Sequence, residues 1–266
     1  MSSNTNPCLI QYQILKRFDS IRHFTTTRIG GVSVGNYSSF NLGLFTSDLP
    51  ENISQNFDLL GSLTGIDKNT IHLPFQTHSN RIFQIGENFP GQHDETKKSL
   101  LHGIDALITD IPGQCIGVST ADCVPILLYD PVCKAIGAVH AGWRGTCSGI
   151  VTKTLTKMIS AFQSDPANLI AVLGPSISPD VYEVGAPLMD EFREAGFETK
   201  EIFSEKNGRI FLDLWKANKQ MLTDGGVKEE NIEISGICTY SQHENFFSAR
   251  RLGISSGRMI SGIMLI

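Results

Sequence analysis

The chain has 266 residues, 41% of them hydrophobic and 18% charged, which is enough apolar material for a packed core and argues against disorder. A formal charge of -5 provides no overall field that would draw in nucleic acid or an anionic membrane, although local arginines can still hold small anions. The opening MSSNTNPCLIQYQILKRF has no basic segment followed by an apolar run, so no secretory signal is expected.

The longest apolar run, near 115–129, is broken by Asp122 and Pro125 and falls short of the ~20 residues a spanning helix needs. A soluble cytoplasmic protein is expected. Six cysteines without a C-x-x-C pair indicate neither a zinc ribbon nor, in that compartment, a disulfide framework.

Residues 9–34 begin extended, and the threonines of HFTTTRIGG favour a strand leading past Arg28 to a turn at Gly30-Gly31. NYSSFNLGLFTSD continues as a turn-rich loop. It could present Arg28 and Asn41 to an anionic or polar ligand, or simply close a surface hairpin. Pro50 to Gly65 is a predicted helix: proline suits the first turn, Ile53, Phe57, Leu60 and Leu63 share a face, and Gly65 is a stop. IHLPFQTHSNRIFQI reads as strand, connection and strand, with His78 where the apolar pattern breaks. GENFPGQHDETKKS is polar and reads as an exposed loop.

GIDALITD, CIGVSTADC, VPILLYD and KAIGAVHAG read as four strands, with a turn at Pro112-Gly113. Their apolar runs are nearly continuous, which suggests strands covered on both faces in a layered α/β domain. A soft sulfur, Cys123, closes one element in ADC. An imidazole, His140, closes another in VHAGWRG, with Asp122 and Arg144 nearby. GTCSGIVTKTLTKMISAFQS reads as one helix with Ile150, Val151, Leu155, Met158, Ile159 and Phe162 as its stripe. Its free N–H groups point back toward His140, making an anion-favouring corner that is neither a P-loop nor a dinucleotide fingerprint.

LIAVLGPSISPDVYEVG is a strand entering a proline-rich turn, residues 187–195 and 212–224 read as helices, and IEISGICTYS as a strand. FFSARRLGISSGRM closes the chain with Arg250, Arg251 and Arg258 among turn residues. With no repeat and no linker, one domain over 1–266 is expected. On residues alone, Cys123 as a buried strand cysteine and His140 as a satisfied core histidine stand beside the functional reading. Their spacing from His78 is not a zinc signature.

Taken together and in order, HFTTTRIGGVSVGNYSSFNLG, QTHSN, GIDALITD, ADCVPILLYDP, AVHAGWRGT, GPSISPDVYEVG and CTYSQHENFFSARRLGISSGRM resemble the YfiH/YlmD laccase-domain family, from about residue 23 to the end. The resemblance implies an α/β (α+β) fold, a four-layer α/β/β/α sandwich similar to the cysteine-hydrolase domain of cytotoxic necrotizing toxins. It implies zinc held by His78, Cys123 and His140, which would also be the catalytic residues. It further implies a purine nucleoside phosphorylase acting on adenosine, inosine and methylthioadenosine, with adenosine deaminase activity. The alternatives are an amidase that edits L-serine out of a peptidoglycan precursor and a copper polyphenol oxidase, or laccase. Family members often carry cysteines where this chain has Ser176, Asp180 and Val181, and Ser241 and Ala249 also depart from the pattern. These losses leave the three zinc ligands intact and weaken the oxidase reading.

Two imidazoles and a thiolate suit tetrahedral zinc with one position open. Copper is disfavoured: a blue-copper site adds an axial ligand and a multicopper oxidase needs many histidines, of which the chain has seven. Phosphorolysis needs an anion site, for which Arg28, Arg144 and Arg251 are candidates, with Asn41 and Asp105 also placed at substrate. Asp105 or Asp122 could orient a metal-bound histidine, act as a base, or merely cap a strand end. The expected partners are a nucleoside and phosphate, or a cell-wall precursor, with no nucleic acid and no membrane.

Overall fold

The structure, a computed structural model, describes residues 8–266. The start of the stretch read as lacking a leader lies outside the described residues. In chain order, β1 (Leu9–Ile10) and β2 (Ile21–Thr26) precede α1 (Pro50–Thr64), β3 (Ile71–His72), β4 (Ile82–Gln84) and α2 (Asp94–Leu101). Then come β5 (Ala106–Thr109), β6 (Cys115–Thr120), β7 (Val124–Asp130), β8 (Ala135–Ala141), α3 (Trp143–Cys147) and α4 (Ile150–Phe162). The remainder is β9 (Ile170–Leu173), β10 (Glu183–Val184), α5 (Ala186–Glu194), α6 (Thr199–Ile202), β11 (Phe203–Lys206), β12 (Arg209–Leu212), α7 (Leu214–Asp224), β13 (Ile232–Ile234), α8 (Ala249–Leu252) and β14 (Met259–Leu265).

This is a mixed α+β chain with several sheets. One sheet runs β1-β2-β14-β6-β3, a second runs β13-β9-β7-β8-β5-β4, and a small third runs β10-β12-β11. The continuous apolar runs have a simple cause. Ile126 and Leu128 of β7 pack with Val151, Leu155 and Met158 of α4, while their neighbour Leu127 packs with Ile116, Val118 and Ile263 of the other large sheet. Both faces of β7 are therefore dry, and each fully buried aliphatic side chain contributes roughly 1.5–3 kcal/mol. Phe24 and Ile260 meet Ile53, Phe57 and Leu60 of α1 in a further cluster.

The α1 prediction holds to the residue at Pro50, and Gly65 terminates the helix at φ 67, a left-handed conformation that glycine adopts without strain. Leu63, however, is largely exposed. Three further expectations need correction. The polar segment around residue 94 is not all loop: DETKKSLL forms α2, which buries only Leu101 and so carries little apolar periodicity. The helix expected as one piece after AGWRG is two, because Gly149 at φ 75 separates α3 from α4, and Ile159 of the expected stripe faces solvent. The C-terminal residues are not only turns: β14 is a fully buried strand between β2 and β6.

All six cysteines are free thiols. Among the described residues, no helix is long and apolar enough to cross a membrane.

Candidate metal centre

The β7–β8 hairpin sets two of the three candidate ligands side by side. Val124 pairs with Ala141, so Cys123 sits across from Gly142, two residues beyond His140. His140 has the same strand parity as Ile136 and Ala138, which fill the space between the two large sheets, so its ring points into the end of that space. Strand β5 then brings the orienting group. Ala106 pairs with Val139, and the pairing continues one residue further, where the Asp105 carbonyl accepts the His140 amide at 2.8 Å.

Asp105 is fully buried and its carboxylate serves two ligands together. Oδ1 accepts from His140 Nδ1 at 2.7 Å and from the His78 amide at 3.0 Å. Oδ2 accepts the amides of Thr77 and Ser79 at 3.1 and 2.8 Å, and the Ser79 hydroxyl at 2.7 Å. The loop carrying His78 is thus wrapped around one carboxylate, and His78 itself takes φ 59. Burial pushes Asp105 up, but the hydrogen bond and charge of His140 outweigh it and hold the acid below the usual carboxylate range.

One nitrogen from each of His78 and His140 and the sulfur of Cys123 lie within 4.8 Å of one another, with Cys123 Sγ 3.8 Å from His78 Nε2. Tetrahedral bonds of roughly 2.0–2.3 Å to nitrogen and sulfur require donor separations of this order. Burial alone would raise the Cys123 thiol; the charge of His140, with hydrogen bonds from both histidines, brings it down to about 6. Burial likewise opposes the charged form of His140, yet Cys123 and Asp105 raise it to about 9. The space is tight where the donors meet: a Cβ at Gly142 would come 2.9 Å from Cys123 Sγ and 3.0 Å from His78 Cδ2. The three donors fit a single borderline-soft divalent ion. Among the described residues no second group of this kind is found.

Asp122, one residue before Cys123, organises the opposite wall. It stands at φ 91 and is mostly buried. Oδ1 accepts from the Thr239 hydroxyl and Oδ2 from the Arg250 amide, both at 2.7 Å. Its carboxylate is engaged by the protein's own groups rather than by a ligand histidine.

The ligands border a cavity of about 560 Å³ that also includes Tyr182, Arg250 and Arg258 in its walls. The three arginines expected at an anion lie outside this wall. Arg28 donates to the carbonyls of Ser38 and His243 and lies over Phe247, so it pins loops together. Arg144 is exposed and stacks 4.2 Å from the Trp143 ring. Arg251 is exposed over Tyr240, while its neighbour Arg250, also exposed, lies over Tyr182 and lines the cavity. Asn41 is buried and structural: it accepts the amides of Gly43 and Arg258 and donates to Thr46 and Asp48. Asp105 lies behind His140 rather than in the cavity wall. Within the basic segment FFSARRLGISSGRM, the one-turn helix α8 decides which arginine faces the cavity. Gly142, Tyr182 and Arg250 gave no periodicity or spacing cue.

The sequence profile described as multi-copper polyphenol oxidoreductase laccase matches residues 22–266. A protein from Bacteroides thetaiotaomicron named purine nucleoside phosphorylase is 42% identical over 259 residues, covering 97% of this chain and 96% of its own. A protein from an unknown prokaryotic organism named adenosine deaminase RL5 is 37% identical over 251 residues, covering 93% and 95%. The crystal structure of a Bacillus licheniformis hypothetical protein, YfiH, superposes with a TM-score of 0.89 at 31% identity, over 98% of this chain and 97% of that one. YlmD from Geobacillus stearothermophilus gives 0.89 at 26% identity, over 100% and 98%. The chain belongs to the laccase-domain family that includes YfiH and YlmD.

Proposed function

For this member of the laccase-domain family, we propose a zinc-dependent purine nucleoside phosphorylase acting on adenosine, inosine and methylthioadenosine, with adenosine deaminase activity. The observation that carries the reading is the His78–Cys123–His140 centre bordering a cavity of about 560 Å³ with Arg250 and Arg258 in its wall. A cavity of that volume accommodates a nucleoside. The names of the relatives support the same substrate class. We also read the packing of α1, the two large sheets and the α4–α7 side as the four layers of an α/β/β/α sandwich, formed by one cytoplasmic domain.

Bound zinc would supply Lewis-acid polarisation and an activated water. The chain's own groups do the rest. Asp105 fixes the His140 ring and its Nδ1 proton, so Nε2 is the nitrogen free to face a metal or a substrate. Arg250 and Arg258 provide the positive charge that an attacking phosphate needs. In phosphorolysis a phosphate oxygen bonds to C1′ of the ribose as the C1′–N9 bond breaks, and the departing base takes up a proton. Burial pushes the Tyr182 hydroxyl up to about 12, so it keeps its proton at neutral pH and can donate within the cavity.

The test is to incubate zinc-replete protein with inosine, with and without phosphate, and follow hypoxanthine and ribose phosphate. Adenosine with ammonia detection covers deamination. Absence of base release and of ammonia would remove the reading.

A second reading, the amidase that edits L-serine from a peptidoglycan precursor, is favoured by one observation. The order Cys123, His140, Asp105 is that of nucleophile, base and orienting acid, and the thiol is already drawn toward thiolate. Stoichiometric alkylation of Cys123 in zinc-loaded protein would support a nucleophile; protection by zinc would support a ligand.

A further inference from the structure

Two phenylalanines at the metal cavity are out of keeping with the rest of the molecule. Phe24, Phe40, Phe192 and Phe247 are at most 1% exposed, as buried aromatic side chains generally are. Phe45 is 54% exposed and Phe75 36%, and both stand in the cavity wall. They touch: their ring centroids are 4.7 Å apart at an interplanar angle of 79°. The same two rings also border a second hollow of about 530 Å³. They form a free-standing partition between two spaces rather than part of the core.

The partition is held in place. The Asn41 side chain accepts the Gly43 amide and donates to the Thr46 hydroxyl, clamping the loop on either side of Phe45. Phe75 exchanges backbone hydrogen bonds with the end of α2, donating to Leu101 and accepting from Gly103 at 3.0 and 2.9 Å. Its ring lies flat on His102, with centroids 4.8 Å apart and planes 8° apart. Three residues further along the chain is His78. The aromatic corner and the metal centre are therefore built on one loop, and the ring positions are set before any ligand arrives.

We propose that Phe45 and Phe75 are the base-stacking corner of this cavity and set its preference for a planar heteroaromatic leaving group. The inference rests on the nucleoside reading above. Two rings at nearly a right angle receive a flat bicyclic ring in one way: face against one phenyl, edge against the other, both favourable for the aromatic quadrupole. A purine fills such a corner more fully than a pyrimidine. Neither phenylalanine carries a group that takes part in bond breaking, so they are specificity residues and their signature is binding rather than chemistry.

The experiment uses the full-length, zinc-loaded protein and measures inosine binding by calorimetry and inosine turnover with phosphate. Phe45→Ala and Phe75→Ala should each weaken inosine binding and raise KM roughly ten-fold, with kcat changed less than two-fold, as expected for a lost base–aromatic stack. Phe45→Trp and Phe75→Tyr, which keep a stacking face, should restore KM to within about two-fold of wild type. Because Phe45 lies on an exposed loop, its alanine variant should retain the thermal transition of the parent, which separates lost stacking from lost folding. Wild-type binding and KM in both alanine variants would overturn the proposal while leaving the nucleoside reading in place. A fall in kcat without a change in KM would also overturn it. A wild-type protein that neither binds nor turns over any purine nucleoside would overturn both.

Discussion

The carboxylate of Asp105 and the ring of His140 meet through a 2.7 Å hydrogen bond inside the fold, and the other lobe of that carboxylate gathers the loop that carries His78. One acid therefore sets the orientation of two of the three candidate ligands, which come from segments far apart in sequence.

Asp105→Asn tests this directly. The amide keeps the shape but offers one acceptor oxygen where the carboxylate serves donors with both. Outer-sphere partners of this kind typically change metal affinity by about 10–100-fold. Chelator competition should show a loss in that range, and an unchanged zinc affinity would refute the role given to Asp105.

Gly142→Ala places a methyl group 2.9 Å from Cys123 Sγ and 3.0 Å from His78 Cδ2. The backbone there is extended and tolerates alanine, so the effect is local crowding at the donors, of about 1–3 kcal/mol. Zinc stoichiometry by atomic absorption should fall well below wild type while circular dichroism remains native-like. Full zinc retention would show that the donors move apart freely.

The Cys123–His140 pair gives the metal-free protein a pH signature. Cys123, lowered to about 6, should react with iodoacetamide at a rate that rises through about pH 6 and then levels, instead of rising through the ordinary thiol range. His140, raised from 6.5 to about 9, contributes stability that is full below pH 6.5 and lost as pH climbs through about 9. Cys123 contributes stability that is full above the ordinary thiol range and lost as pH falls through about 6. The two slopes cancel between those limits. From this pair, urea midpoints of the metal-free protein should be level from about pH 6.5 through 9 and beyond, and fall only slightly as pH drops from 6.5 to 6. An alkylation midpoint near pH 9 would contradict the pairing.

Asp122 predicts a graded pair of variants. Asp122→Asn keeps one acceptor and an amide that tolerates the left-handed backbone, and should lose about 1–3 kcal/mol for the unsatisfied partner. Asp122→Ala loses both acceptors and strains a residue at φ 91, so it should be less stable than the asparagine variant. Denaturant unfolding reads both, and equal stabilities would show that the Thr239 and Arg250 contacts are incidental.

Much of this was legible in the chain. The strand block from Ala106 to Ala141 showed its apolar runs because both faces are covered, and α1 announced itself with proline, a spaced apolar face and glycine. Helix α2 was hidden because a helix that buries only Leu101 looks like a polar loop. Strand β14 was hidden because Ser261 and Gly262 interrupt MISGIML. The glycine is there because a Cβ would come 2.7 Å from the Phe24 ring, a constraint that only the folded sheet reveals. Of the three donors, Cys123 and His140 stood out as polar residues at the ends of apolar strands. His78 was marked only by family resemblance, since a histidine in a polar tetrapeptide carries no pattern of its own. Within FFSARRLGISSGRM, a one-residue difference in α8 decides that Arg250 rather than Arg251 lines the cavity, which no sequence pattern marks.

The hairpin register described above also has a meaning for the order of assembly. Cys123 and His140 lie at the open end of a single antiparallel hairpin, pinned by the pairing of Val124 with Ala141. Short-range pairings of this kind close early and with little loop entropy. A nascent chain that has formed β7 and β8 already holds a thiol and an imidazole at adjacent positions, a two-point grip on a soft cation. His78 joins only when β5 docks beside β8 and brings Asp105 with it. The ion would then be held loosely by the hairpin and locked when the upstream strand β5 docks with the His78 loop, so that metal supply influences how the upstream segment closes onto the hairpin.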